Sequence, residues 1–118
     1  MKLRPIKAHR QEPVNTPGAK GARMRMLVGP DDGARSFHMR QFEIEVGGHT
    51  PHHQHEHEHE CLILKGSGII KSEQGDRPFK PGDVLFIPPG EMHQFCNTGE
   101  EPCEFICLIP APKACGCG

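Results

Sequence analysis

Between Phe37 and Val46 the chain alternates, with Phe42, Ile44 and Val46 facing one way and Gln41, Glu43 and Glu45 the other. A period of two marks a strand with one buried face. Apolar runs at residues 23–28, 59–64, 68–72, 84–87, 92–97 and 103–109 repeat the theme at shorter length. Turn-forming clusters separate them: Gly29-Pro30-Asp31-Asp32-Gly33, Gly47-Gly48, Gly66-Ser67-Gly68, Glu73-Gln74-Gly75-Asp76, Pro88-Pro89-Gly90 and Thr98-Gly99-Glu100-Glu101-Pro102. No window carries a helical period. The spacing therefore predicts an all-β domain of about eight short strands, closed as a sandwich or barrel.

Two strands are apolar on both faces. Cys61 and Ile63 alternate with Leu62 and Leu64, and Phe105 and Cys107 with Ile106 and Leu108. One face must line the interior, and the other needs its own cover. A second copy of the chain is the simplest cover, so a homodimer is expected, packed through N-terminal segments or outer strands. Residues 1–22, punctuated by Pro5, Pro13, Pro17, Gly18 and Gly21, read as an irregular arm. The strands fill residues 23–110, and residues 111–118 form a flexible tail ending Cys115-Gly116-Cys117. At 118 residues there is room for one domain.

Composition narrows the partners. A formal net charge of −1 gives no electrostatic footprint for nucleic acid or a membrane surface. No apolar run approaches the length of a membrane span, and no apolar stretch follows the basic segment Met1 to Arg10. A cytoplasmic location is expected, in which Cys61, Cys103 and Cys107 serve as small buried hydrophobes rather than disulfide partners. Trp and Tyr are absent, so six Phe are the large aromatic anchors. No Ser-His-Asp order, phosphate-binding loop or paired carboxylates offer a mechanism.

Histidine carries the candidate chemistry. Six of the nine lie between His49 and His59. On an extended chain His53 and His55 project to one side, where two imidazoles can converge on one metal ion. The same run also fits a solvated His-Glu surface stretch, and by itself it does not choose. The rest of the chain adds to it. Five residues separate Gly47 from His53-Gln54-His55, and ten more separate His55 from Gly66. Gly82 is followed at fixed spacing by Pro88, Gly90, His93 and Asn97. These two stretches resemble the two signature motifs of the cupin superfamily, over about residues 36–110. More narrowly, the sequence is similar to small single-domain manganese cupins with four histidine ligands. The resemblance implies a jelly-roll barrel with a metal inside it.

The sequence departs from that pattern at one position. Where the family usually has Glu four residues after the second His, this chain has His59, and Glu60 comes one residue later. The resemblance to four-histidine members implies the ligand set His53, His55, His59 and His93. Strand parity makes His59 and Glu60 exclusive alternatives. His49, His52 and His57 then belong to the loop and rim. Manganese is the implied metal, with iron(II), nickel or zinc as substitutes, because ligand type alone does not select among them. Affinity is expected to fall as the imidazoles protonate, near pH ~6–6.5. Four neutral ligands leave the ion's charge uncompensated, favouring an anionic chelating small molecule.

Three functions follow from the resemblance. One is a metal-dependent enzyme on a small carboxylate or oxygenated metabolite, oxalate-decarboxylase-like or dioxygenase-like. The second is a metal-assisted isomerase or epimerase, and the third a non-catalytic small-molecule or metal binding module. A shared fold does not choose among them. Arg25 and Arg40 are candidates to pair with a substrate carboxylate, or are solvated surface residues. Phe86 and Phe95 are expected to line the cavity, with Gln94 pointing away from it.

Overall fold

One strand organises the sheet. Phe37–His49 (β3) is thirteen residues long and pairs with three neighbours. Lys20–Val28 (β2) lies along one edge, and Cys103–Pro110 (β9) pairs with its first part, from Phe37 to Ile44. His93–Cys96 (β8) meets its end at His49. The remaining strands are Gln11–Pro13 (β1), His59–Lys65 (β4), Gly68–Ser72 (β5), Gly75–Phe79 (β6) and Val84–Ile87 (β7). All pair antiparallel in one curled sheet, in the order β6-β5-β8-β3-β9-β4-β7, with β2 on β3 and β1 on β2. This computed structural model describes residues 1–112, so the expected Cys115 and Cys117 tail lies outside the described residues. The all-β class expected from the strand spacing is the one observed, and the curled antiparallel sheet matches the jelly-roll barrel that the resemblance implied.

The curl comes from the end of β3. Between the pairs Ala22↔Ile44 and Lys20↔His49, β2 advances two residues while β3 advances five. The extra residues bulge out and turn the strand toward β8. Gly47 sits there at φ +78°, and a Cβ on Gly48 would come within 2.6 Å of the Lys20 carbonyl oxygen. Val46 is carried into this bulge and is exposed. The alternation of β3 thus fails at its last position, because a bulge resets the parity.

The inner face packs Ala22, Ile44, Cys61, Ile63, Ile70, Phe79, Ile87, Phe95, Cys103, Phe105 and Cys107 into one core. Phe42, Phe105 and Phe95 stack in a row, with ring centroids 5.2 and 4.3 Å apart. Leu62 and Leu64 point outward, as parity requires. Gln41 departs from the polar-out expectation and is buried. Arg25 Nη1 donates to its Oε1 at 3.2 Å, and its own Nε2 donates to Glu104 at 3.5 Å.

Two strands escaped the periodicity. β6 reads Gly-Asp-Arg-Pro-Phe, almost wholly polar, and forms by hairpin pairing with β5. β1 lies inside the segment expected to be an irregular arm. It adds to the free edge of β2, where Pro13 is tolerated because an edge strand has spare donors. β2 itself begins at Lys20, so residues 11–13 and 20–22 are sheet rather than arm.

Asn97 closes the turn after β8. Its Nδ2 donates to the carbonyls of Ile44 and Glu101, both at 2.9 Å, and its Oδ1 accepts from the Gly99 amide at 2.9 Å. Its position in the second motif therefore has a structural basis. Replacing Asn97 with Ala strands the buried Ile44 carbonyl and removes two half-buried bonds, to the Glu101 carbonyl and from the Gly99 amide, and should cost about 1–3 kcal/mol. Chemical denaturation of Asn97→Ala should show this; an unchanged midpoint would contradict the role.

Candidate metal centre

The sheet's curl brings two distant segments face to face. His53 and His55 lie on the connection between β3 and β4, His59 opens β4, and His93 opens β8. His53 and His93 form an isolated antiparallel bridge: each amide donates to the other's carbonyl, at 3.1 and 2.9 Å. The Gly90 amide, at φ +81°, donates to the His55 carbonyl at 2.7 Å. This left-handed position suits glycine and fixes the Pro88-Pro89-Gly90 turn against the histidine loop. The same bonds hold both histidine segments.

The side chains then converge. His53 Nε2 and His55 Nε2 are 3.2 Å apart. One ring nitrogen from each of His53, His55 and His93 lies within 4.8 Å of the others. His59 is buried, its ring centroid 5.1 Å from those of both His55 and His93. All four line one cavity of about 200 Å³.

Tautomers follow from the outer nitrogens. His93 Nδ1 donates to the Glu91 carbonyl at 2.9 Å, leaving Nε2 as an open lone pair. His59 Nδ1 lies 3.2 Å from the Cys107 Sγ, while its Nε2 is buried with no partner among the described residues. A buried, unpaired ring nitrogen costs about 1–3 kcal/mol unless something occupies it. An outer hydrogen bond with a free inner nitrogen is how metal-binding imidazoles are held. The residues present fit a metal ion. Glu60, by contrast, is exposed on the outer face beside Glu58 and Phe37.

Electrostatics agree. Burial, then the neighbouring imidazoles, pushes His53 and His55 down to about 4. Burial also lowers His93, against the opposing pull of the Glu91 carbonyl. These rings are neutral at pH 7, so protons compete with a metal less than free imidazoles would suggest. The expected loss of affinity near pH ~6–6.5 moves to lower pH.

The other candidates separate cleanly. Arg40 lines the cavity, whereas Arg25 lies on the outer face, its Nε donating to the His9 carbonyl at 3.1 Å. Phe95 lines the cavity as expected. Phe86 does not: it is 59% exposed on edge strand β7, opposite Glu60, with the parity that faces outward. Gln94 points away, donating to the Thr50 carbonyl at 2.8 Å. His57 stacks on His55 at 5.0 Å but does not line the cavity, and His52 is exposed.

Two contributors were missed. Val14 and Thr16, from the supposed arm, form part of the cavity wall. Cys107 is more than a small hydrophobe, for its Sγ meets His59, the Arg40 guanidinium at 3.4 Å and the Cys61 thiol. The hydrogen bond from Cys61, with His59 and Arg40 beside it, draws the Cys107 thiol down, while the same bond and burial push Cys61 up. The parity shared with Phe105 was the available signal for its inward direction.

Comparison with known proteins agrees with this geometry. A family model described as Cupin domain matches residues 40–109. The polyketide cyclase RemF from Streptomyces resistomycificus superposes with a TM-score of 0.90 at 36% identity, covering 97% of this chain and 82% of that one. The structure of a predicted oxalate decarboxylase from Thermotoga maritima gives 0.83 at 30% identity, over 95% of this chain and all of that one. An oxalate-binding protein from Thermotoga maritima is 43% identical over 47 residues, 40% of this chain and 39% of the relative. Glucose-6-phosphate isomerases from Pyrococcus species also match, but the matched stretches span only 29% and 35% of their length.

The lowered histidines have a consequence for stability. An unfolded chain takes up protons at these rings near pH ~6.5, and the folded chain only near about 4. Stability of the metal-free protein should therefore fall as pH drops through that window. Melting temperatures between pH 7.5 and 4.5 test this. The decline should be shallower in His53→Asn; a flat profile for the unaltered protein would contradict it.

Proposed function

The chain belongs to the cupin family, and on that premise we propose that His53, His55, His59 and His93 hold a divalent transition metal for chemistry on a small, oxygen-rich metabolite. The observation that carries this reading is the buried His59 Nε2. It has no partner among the described residues, and His59 lines the cavity with the other three histidines, although only those three bring ring nitrogens within 4.8 Å of one another. Manganese is what the resemblance implies. An all-imidazole donor set also suits zinc, iron and nickel.

When bound, such an ion supplies Lewis acidity and open positions for a chelating oxygen pair. The chain's own residues do the rest. Cys107 and the Glu91 carbonyl orient two of the imidazoles from behind. Phe42, Phe95, Phe105, Val14 and Pro51 wall the cavity and limit the water around a bound compound. Neutral ligands leave the ion's charge uncompensated, so an anionic chelator is favoured over a neutral one. The reaction class we propose is that of a metal-dependent enzyme on a small carboxylate or oxygenated compound, decarboxylase- or dioxygenase-like. A curated sequence and a solved structure, both from Thermotoga maritima, are named for oxalate, and another structure for polyketide cyclisation, which supports this reading.

A second reading has a specific observation behind it. No Asp or Glu lines the cavity among the described residues, so it holds no carboxylate to move a proton. That favours a binding module. Turnover separates the two: consumption of a small acid by the metal-loaded protein supports the enzyme, whereas saturable binding without turnover supports the module.

The ligand assignment is tested by metal content. His59→Ala should lower occupancy at least as much as His93→Ala, while Glu60→Gln should leave it nearly intact. If Glu60→Gln strips the metal and His59→Ala keeps it, the four-histidine set is wrong.

We also propose that two copies of the chain pair through the outer face of β4 and β7. Leu62 and Leu64 on β4 and Val84 and Phe86 on the edge strand β7 are exposed there, Val84 at 77%, an apolar patch that the same patch of a second copy would cover about a two-fold axis. Light scattering should give about twice the 13.1 kDa chain mass, and Phe86→Asp should halve it. A monomer at micromolar concentration would refute the pairing.

A further inference from the structure

Arg40 is an unusual occupant of a cavity wall. Its side chain runs inward from β3, and it forms no ion pair among the described residues. Its Cζ sits 4.9 Å from the Phe42 ring centroid, so the guanidinium is stacked on an aromatic face. One nitrogen, Nη2, reaches the Cys107 Sγ at 3.4 Å, the thiol that the guanidinium helps to draw down, and this is its one side-chain hydrogen bond among the described residues. The Nε is buried with no partner among the described residues.

A guanidinium carries five donors in a planar fork matched to carboxylate oxygens. Here most of that capacity is unspent, in a cavity with no carboxylate of its own. Stacking on Phe42 holds the plane in place, so little side-chain entropy remains to be lost when an anion arrives. The wall beside it is apolar. Phe42, Phe105 and Phe95 form a continuous stack, and all three line the cavity. The volume of about 200 Å³ exceeds the ~150 Å³ that accommodates a benzene ring. The cavity thus joins a cation, an aromatic wall and a space of about one ring.

We infer that Arg40 is the specificity residue of this site, binding an anionic oxygen of a chelating compound whose apolar, ring-sized body lies along Phe42, Phe105 and Phe95. This rests on the metal reading above for the other end of the compound, and it narrows the ligand from any small oxygen-rich molecule to an apolar-bodied acid. Arg40 does not hold the metal. Its removal should alter which compounds bind and leave metal content alone.

Calorimetric titration of the zinc-loaded full chain tests this with three probes of one design. Mandelate has the charge, the chelating hydroxyl and a phenyl body. Glycolate lacks the body, and mandelamide lacks the charge. Mandelate should bind at least tenfold more tightly than either. Arg40→Gln should weaken mandelate about 10- to 100-fold, the worth of a charge-assisted hydrogen bond, with zinc content and melting temperature unchanged. Arg40→Lys should recover part of the loss, since the charge returns without the fork. Equal affinity for mandelate and mandelamide, or no binding of mandelate, overturns the inference from the unaltered protein alone, whatever the variants do. Equal affinity for glycolate overturns the apolar body. If zinc binds and Arg40→Gln behaves like the unaltered chain, the inference falls and the metal reading stands. If zinc fails to bind while mandelate affinity still depends on Arg40, the metal reading falls and the inference stands.

Discussion

Two reciprocal backbone hydrogen bonds between His53 and His93 hold together a site whose parts lie forty residues apart. Backbone bonds set position without consuming the side chains, so both imidazoles remain free to face the cavity. The Gly90 amide adds a third bond to the same loop through the His55 carbonyl. Everything else about the centre depends on this clasp. Without it the His-rich connection would be an exposed polar loop, and the four rings would have no common volume.

The clasp works because the sheet curls where β3 changes partners. The bulge between Ile44 and His49 turns the strand from β9 to β8, and it places the histidine loop over the inner face rather than beyond its edge. Packing then sets the chemistry. Burial and mutual repulsion keep His53 and His55 neutral, so the site presents lone pairs where exposed histidines would be partly protonated at mildly acid pH. The outer hydrogen bonds of His93 and His59 decide which nitrogen each presents.

The two faces of the same strands serve different ends. On β4, His59, Cys61 and Ile63 point inward, while Glu60, Leu62 and Leu64 point outward, toward the proposed second copy. On β9, Phe105 and Cys107 join the cavity, and Ile106 and Leu108 belong to the outside. A one-residue slip in either strand would exchange these roles, which ties register directly to function.

Local periodicity and motif spacing determined much of this protein. The alternation in β3 and the apolar runs of β4 and β9 identified the strands and split their side chains into two faces, because side-chain direction in a strand is a local property of period two. The resemblance of His53, His55 and His93, with Gly47, Gly66, Gly82 and Gly90, to the two cupin motifs marked residues that the fold brings together, and the resemblance to four-histidine members added His59. Sequence could not reveal what depends on contacts between distant segments. β1 and β6 have little apolar pattern and exist because a neighbouring edge offers hydrogen bonds. Val46 obeys the alternation on paper but lies in a bulge, and Phe86 looks like a core residue yet sits outward on an edge strand. Arg25 and Arg40 are alike in sequence, two arginines in neighbouring strands. Only the register between β2 and β3, which sets Arg25 opposite Gln41 on the outer face and Arg40 on the inner one, turns one outward and leaves the other without a carboxylate partner among the described residues beside four histidines, because the face a residue takes is a property of the assembled sheet and not of the chain.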